Sequence, residues 1–219
     1  MNTFTEENYL KAIFKYSVKN KEGVSTNVIA DELNTKASSV TDMVKKLSDK
    51  KLVLYKKYKG VTLTEKGRKI AVSIIRNHRL WEVFLVEKLN FKWDEVHDLA
   101  EELEHINSEK LTDQLDIFLE HPKYDPHGDP IPDKDGNVSH HKDVTLSDLS
   151  NNEKGIVVGV KEHSSSYLKY LESINLLLGS EIKVNEVIEF DQTMNISINK
   201  GKNTNISHQA SKNLIIKQL

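Results

Sequence analysis

With 219 residues, 37% of them apolar and 29% charged, and a formal net charge of −2, the chain has the composition of an ordinary globular protein and length for one large or two to three small domains. It has no cysteine, which excludes disulfides, thiolate metal sites and cysteine nucleophiles, so any metal must be held by histidine, carboxylate or carbonyl oxygen. No apolar run approaches the roughly 18 residues needed to cross a bilayer, and the acidic start MNTFTEENYLK lacks a signal-peptide pattern, so the expectation is a cytoplasmic protein with no membrane partner.

The small net charge hides a polarised chain. Between Lys36 and Lys69 stand eleven Lys or Arg against Asp42, Asp49 and Glu65, a local charge of +8, so the remainder carries −10. A compact basic block in an acidic protein suggests a surface for a polyanion.

Taken in order, Thr5 to Lys19 reads as a helix, with Glu6 and Glu7 in its first turn and Tyr9, Leu10, Ile13 and Phe14 at helical spacing. Ser25 can cap a short helix through Leu33. After a turn at Asn34 to Lys36, a second helix runs from Ala37 to Lys50 with Val40, Met43, Val44 and Leu47 on one stripe. Its other positions, Ser38, Ser39, Thr41, Asp42, Lys45 and Lys46, suit phosphates and base edges in a major groove. Leu52 to Tyr55 and Val61 to Leu63 read as two strands joined across Lys56 to Gly60. Helix, turn, helix and a basic two-stranded wing describe a winged helix-turn-helix. A helical protein-interaction domain with a lysine-rich surface is the alternative.

Glu65 to Leu89 reads as a long helix with apolar residues around most of its circumference, carrying His78 and Glu82 at i and i+4. Its histidine and carboxylate can form a satisfied core pair or serve a metal. The stretch Val96 to Ile106, VHDLAEELEHI, is helical. At about 3.6 residues per turn, His97, Glu101, Glu104 and His105 fall within an arc of about 100°, while Val96, Leu99, Ala100, Leu103 and Ile106 gather on the other face. The first face reads as solvated acid or as ligands for a divalent cation, the second as the packing face.

A short helix from Ser108 to Glu120 ends before HPKYDPHGDPIPDKDG, which holds all four prolines and reads as a linker. Its histidines and their neighbours, His121, His127, His140 and His141, read as exposed. Beyond Asp148 the segments GIVVGVKE, GSEIKVNEVIEF, MNISINK, TNISHQ and NLIIKQL alternate as strands, with one helix at Ser164 to Ile174, as in a small SH3-like β-barrel of about 70 residues. The chain carries no phosphate loop, nucleophile elbow or His-Glu-x-x-His motif.

Together TEENYLKAIF, SSVTDMVKKL, YKGVTLTEKG, NHRLWEVFL, VHDLAEELEH and DPHGDPIP resemble the diphtheria-toxin-repressor family of iron- and manganese-dependent transcriptional regulators, over essentially the whole chain. The resemblance implies a mainly α fold with a small β part: a DNA-binding winged helix at 1–73, a helical metal-binding and dimerisation domain with its Pro-rich linker at 74–141, and an SH3-like domain, similar to the ferrous-transport A protein, at 142–219. It implies a primary metal site at Asn8, Glu101, Glu104 and His105 and an ancillary site at His78, Glu82 and His97. It further implies DNA contacts at Lys36, Ser38, Ser39, Thr41, Asp42 and Lys45, and a homodimer on a palindromic double-stranded operator. Iron-responsive members carry Met and Cys at the positions of Asn8 and Glu101, and manganese-responsive members carry Asp and Glu at those of Asn8 and Lys11. This oxygen and nitrogen set suits Mn2+ and admits Fe2+, with Zn2+ or Co2+ as substitutes in vitro. The family's barrel ligands appear here as Ser164 and Tyr167, with Glu162 or His163 as possible replacements. The implied function is a metal-dependent repressor of metal-homeostasis genes and not an enzyme. A winged-helix regulator without a metal switch, or a carboxylate-bridged dimetal enzyme suggested by Glu102-x-x-His105, are the alternatives.

Overall fold

The computed structural model describes residues 2–17, 23–56, 59–138, 144–199, 201 and 203–219, which divide into two compact units. The expected extension of the first helix to Lys19, the wing tip at 57–58, and His140 and His141 lie outside the described residues.

The first unit comprises Met1–His78, Glu101–Asp113 and Pro132–Val138. It contains α1 (Phe4–Ser17), α2 (Thr26–Glu32), α3 (Ala37–Asp49), the antiparallel pair β1 (Val53–Lys56) and β2 (Gly60–Leu63), and the first half of α4 (Glu65–Leu89). Ser25 caps α2 by accepting from the Val28 amide, as its hydroxyl allows. The stripe on α3 is buried at Val40, Val44 and Leu47, and packs with Leu10, Ile13, Ile29, Leu52 and Val61 into one core. Reciprocal hydrogen bonds between Val24 and Val61, 2.9 and 2.8 Å, add a third short edge to the wing. Gly23 and Gly60 make that approach possible: each has positive φ, and a Cβ at Gly60 would stand 2.7 Å from the Val24 carbonyl oxygen. This is the winged helix-turn-helix read from the sequence.

The second unit comprises Arg79–Ala100, Gln114–Ile131 and Ser139–Leu219. It takes the rest of α4 and most of α5 (Val96–Leu103), and receives the end of α6 (Glu109–Phe118). Leu80 and Val83 pack on Leu115 and Leu119. The C-terminal part has β3 (Lys154–Val160), α7 (Ser165–Ser173), β4 (Glu181–Val187), β5 (Met194–Ile198), β6 (Asn203–Ile206), a short α8 (His208–Ser211) and β7 (Leu214–Gln218). The expected strands are all present, and among the described residues they pair as an antiparallel five-stranded sheet in the order β6-β5-β4-β3-β7. Bulges between Val157 and Gly159 and between Val184 and Glu186 bend its strands. A turn at Leu146–Asp148 and α8 have no helical periodicity to announce them, being held by side-chain caps such as Ser207 on Ala210.

Two corrections concern burial. The acid-rich face of α5 was expected in solvent or around a cation and its apolar face in the core. Val96 and Ala100 of the apolar face are buried as expected, but Leu99 and Ile106 are 37% and 41% exposed, while on the polar face Glu104 is fully buried and His105 nearly so. Charged partners from α1 and α4 make the burial of Glu104 and His105 possible. The proline-rich segment is an irregular loop as expected, but an ordered one, and it buries Asp125 and His127.

Candidate metal centre

Within the first unit, α1, α4 and the end of α5 converge on Glu104. Its Oε2 accepts from His78 Nδ1 at 2.7 Å, and Lys11 Nζ donates to both of its oxygens at 2.7 and 2.8 Å. Lys11 also donates to Glu101 Oε1 at 2.5 Å. Behind the carboxylate, Asn77 Nδ2 donates to the Glu104 carbonyl while its own Oδ1 accepts from Thr112, so α4 fixes the backbone as well as the side chain. A carboxylate buried this deeply is tolerable only with such a shell.

His105 follows the last turn of α5. Its Nδ1 lies 2.7 Å from Glu7 Oε2, and Asn107 Nδ2 donates to the other Glu7 oxygen at 3.0 Å. A carboxylate can only accept, so Nδ1 carries a proton and Nε2, 3.8 Å from Glu104 Oε1, is the nitrogen whose lone pair a neutral ring offers to a ligand. The Phe4 ring stacks on the imidazole at 4.5 Å and fixes its plane. Next along α1, Asn8 has a buried Oδ1 with no hydrogen-bond partner. The orphaned amide oxygen of Asn8, the His105 imidazole and the Glu101 and Glu104 carboxylates are, by their chemistry, donors of the kind that Mn2+ or Fe2+ takes.

The opposite side of α1 faces the helix-turn-helix. Glu6, fully buried, accepts from Lys50 Nζ at 2.8 Å with both oxygens and lies 3.1 Å from Lys46 Nζ, so it anchors the C-terminal end of α3. Burial alone would raise the pKa of this carboxyl. The Lys50 hydrogen bonds, the Thr3 amide and Lys46 outweigh it and bring the pKa down to about 2. On α3 the residues expected at DNA, Ser38, Ser39, Asp42 and Lys45, are exposed, as is Lys36 just before it. Thr41 is half-buried and its hydroxyl bonds back to the Ala37 carbonyl, and Asp42 pairs loosely with Lys45 at 3.5 Å.

A second cluster stands within the second unit. Ligand atoms of Glu82, Asp125 and His127, all buried, lie within 4.8 Å of one another. His97 Nδ1 is 3.5 Å from Glu82 Oε1. His127 Nε2 donates to the Trp93 carbonyl at 2.8 Å, leaving Nδ1 3.4 Å from Glu82 Oε2 but not aligned for a hydrogen bond. Burial, then the Glu82 and Asp129 carboxylates, push the Asp125 pKa up to about 7. Burial resists charge on His127, but Glu82 and Asp125 hold its pKa up at about 9. A pocket that raises both a carboxyl and an imidazole has excess negative charge, and an imidazole with one N–H on a carbonyl and the other nitrogen toward a carboxylate is arranged as a ligand.

The loop that supplies this cluster is built around Asp125, whose Oδ1 accepts from the amides of His127 and Asp129 at 2.8 and 3.0 Å. Arg79 of α4 binds Asp129 and the Pro130 carbonyl. The His127 carbonyl accepts from the Val160 amide of β3. Sequence reasoning placed His127 in solvent; the loop's own hydrogen bonds bury it, and they leave no periodic trace in sequence. His121, by contrast, is 61% exposed, as expected. Of the possible barrel ligands, Tyr167 bonds the Ala210 carbonyl and His163 stacks on His127 at 4.9 Å. The readings of Glu7 as part of a charged first turn and of DPHGDP as linker missed the two features that organise these clusters.

Residues 1–61 match the N-terminal DNA binding domain of iron dependent repressors, 64–133 their metal binding and dimerisation domain, and 144–218 a FeoA domain. A solved structure described as a manganese-dependent transcriptional repressor in complex with manganese superposes with a TM-score of 0.86 at 34% identity, over 98% of this chain and 100% of that one. The chain belongs to the diphtheria-toxin-repressor family. An HTH-type transcriptional regulator of Methanocaldococcus jannaschii is 39% identical over 114 residues, 52% of this chain and 91% of that protein. The iron-dependent repressor IdeR of Mycobacterium tuberculosis is 35% identical over 130 residues, 58% of this chain, and the match spans 55% of IdeR. Members of this family are metal-dependent DNA-binding transcriptional repressors, and its match across the chain separates this protein from the dimetal enzymes that Glu102-x-x-His105 formally resembles. No helix among the described residues is long and apolar enough to cross a membrane.

Proposed function

We propose that this chain is a cytoplasmic, manganese- or iron-activated repressor of metal-homeostasis genes that binds a palindromic operator as a homodimer. The observation that carries the switch is the placement of consecutive residues of α1 on opposite sides: Glu6 holds Lys46 and Lys50 of α3, while Glu7 holds His105. A change in the order of the Glu101 to His105 stretch is therefore felt, through one helix, at the base of the helix that faces DNA.

In this reading Asn8, Glu101, Glu104 and His105 hold the activating ion, with Glu7 fixing the His105 ring. Glu82 and His97, with Asp125 and His127 beside them, hold a second, and His78, whose Nδ1 lies 2.7 Å from Glu104 Oε2, keeps its place in the ancillary set. When bound, the divalent ion supplies the positive charge that the clustered carboxylates need. The chain's own part is to hold α1 against the metal-binding stretch and so restrict the orientation of α3. Lys36, Ser38, Ser39, Thr41, Asp42 and Lys45 face the operator, Lys45 as a phosphate neutraliser. The division at 1–73, 74–141 and 142–219 assigns DNA binding, metal binding with dimerisation, and an SH3-like fold to successive parts. Ile117 and Phe118 on α6, 55% and 60% exposed, belong to the dimer face. Dimerisation sets two α3 helices at half-sites about 34 Å apart.

Titration of operator DNA with the purified full chain in Mn2+, in Fe2+ and in chelator tests this reading. Selective binding that requires Mn2+ or Fe2+ supports it. Tight binding indifferent to chelation removes the metal switch, and no selective binding in either metal removes the regulator.

A further inference from the structure

Lys11 occupies the carboxylates of the proposed activating site as a cation would. Its ammonium contacts three carboxylate oxygens, Glu101 Oε1 at 2.5 Å and both oxygens of Glu104 at 2.7 and 2.8 Å. Glu104 is fully buried, whereas the Lys11 side chain is 21% exposed, so the lysine has a route to solvent that its partner lacks. The donors one turn away remain outside the lysine's reach in chemistry: Asn8 Oδ1 has no hydrogen-bond partner and His105 Nε2 holds a lone pair. An ammonium can also donate to an amide oxygen, but Lys11 spends its contacts on the carboxylates and does not engage Asn8 Oδ1.

We propose that Lys11 is a built-in competitor for the activating ion, neutralising Glu101 and Glu104 in the metal-free protein and leaving toward solvent when those oxygens serve a divalent cation. This rests on the metal reading of the site given above. Charge decides the exchange. Two carboxylates with the ammonium carry −1; with a divalent ion replacing it they carry zero. Keeping both cations would leave +1 in a buried cluster, with like charges sharing the same oxygens at a spacing where their repulsion is large. The divalent ion gains the Asn8 and His105 donors that the lysine does not use, which is what lets it win. The consequence is a raised activation threshold and a metal-free state in which α1 stays tethered to Glu101 and Glu104 through Lys11.

The test compares the full-length wild type with Lys11→Met, which keeps the stem and removes the charge, by competition of Mn2+ against a fluorescent chelator and by thermal unfolding. The readout is the binding event that Glu104→Gln abolishes. Lys11→Met is expected to bind Mn2+ at least about ten-fold more tightly at that site and to melt at lower temperature without metal, with the melting difference closing at saturating Mn2+. Lys15→Met, whose lysine pairs with Glu32, should leave Mn2+ affinity unchanged. Unchanged or weaker affinity in Lys11→Met overturns the proposal while leaving the metal site intact. If Lys11→Met does not fold, Lys11→Arg serves: its fork should grip the carboxylates harder and weaken Mn2+ binding several-fold, and unchanged affinity overturns the proposal. Wild type and Glu104→Gln taking up Mn2+ equally, or neither taking it up, overturns this inference together with the site on which it rests.

Discussion

Glu7 Oε2 sits 2.7 Å from His105 Nδ1, and this one contact between the first turn of α1 and the end of α5 decides which ring nitrogen is left for a cation. Replacement by glutamine keeps the shape but offers the ring an amide that donates as well as accepts, so the tautomer is no longer enforced. Glu7→Gln is expected to weaken Mn2+ binding by about 10- to 100-fold, the usual cost of losing a carboxylate behind a ligand histidine. Competition with a chromophoric chelator measures it; an unchanged affinity would show that stacking on Phe4 orients the ring without the carboxylate.

Glu6 contributes in the other direction, to the DNA-binding half. Its pKa falls from 4.5 to about 2 in the folded chain, so the folded state binds this proton less readily than the unfolded one. The associated stability is complete above about pH 4.5 and is lost as pH falls toward about 2. Lys46 and Lys50 are themselves 54% and 39% exposed, which screens the pairs and leaves about 1 to 2 kcal/mol. Urea unfolding of wild type and Glu6→Gln should differ by that amount at pH 7, with the gap shrinking as the buffer approaches pH 3. A gap that grows on acidification would contradict the assignment.

At the second cluster the sign is reversed. Asp125 and His127 both have raised values, about 7 and about 9, so below neutrality the metal-free pocket holds both protons. An ion that uses the Asp125 carboxylate and His127 Nδ1 must release them. Binding at the site removed by Glu82→Gln should therefore tighten steadily from about pH 6.5 to about pH 9, with proton uptake by the buffer. Calorimetry in two buffers of different ionisation enthalpy reads the released protons directly, and an affinity flat across this window would exclude these two side chains as ligands.

Gly128 connects loop geometry to that pocket. Its φ is +88°, and a Cβ would stand 2.1 Å from the Val158 carbonyl oxygen and 2.4 Å from Gly159 Cα, both main chain of β3. Neither neighbour can yield as a flexible side chain would. Gly128→Ala should destabilise the protein by about 2 kcal/mol or more and displace the adjacent His127. The expected signature is a lowered melting temperature together with loss of the second binding event, while operator selectivity at saturating Mn2+ is retained. A variant as stable as wild type would refute the close approach.

Much of the architecture was legible because it follows from local periodicity and charge. The stripe of Val40, Val44 and Leu47, the basic run through the wing, the apolar circumference of α4 and the alternating C-terminal strands each carry a repeat that one element's geometry imposes. The stretch holding Glu101, Glu104 and His105 was legible as a group of ligand types, but the helix expected through Ile106 ends at Leu103, so Glu104 and His105 stand in the turn beyond it. Which groups they meet was not. Glu104 and His105 turned inward, against the apolar pattern of Leu99 and Ile106, because Lys11, His78 and Glu7 arrive from 26 to 98 residues away and make burial affordable. Asp125 and His127 could not be distinguished from linker residues, since their burial depends on hydrogen bonds within an irregular loop and from β3. Sequence by itself determined the elements and the kinds of ligand atom available; only tertiary structure decided which ring nitrogen is left open, which acids share a cavity and which lysine stands among them, because those choices are made by contacts between segments that have no periodic relation to one another.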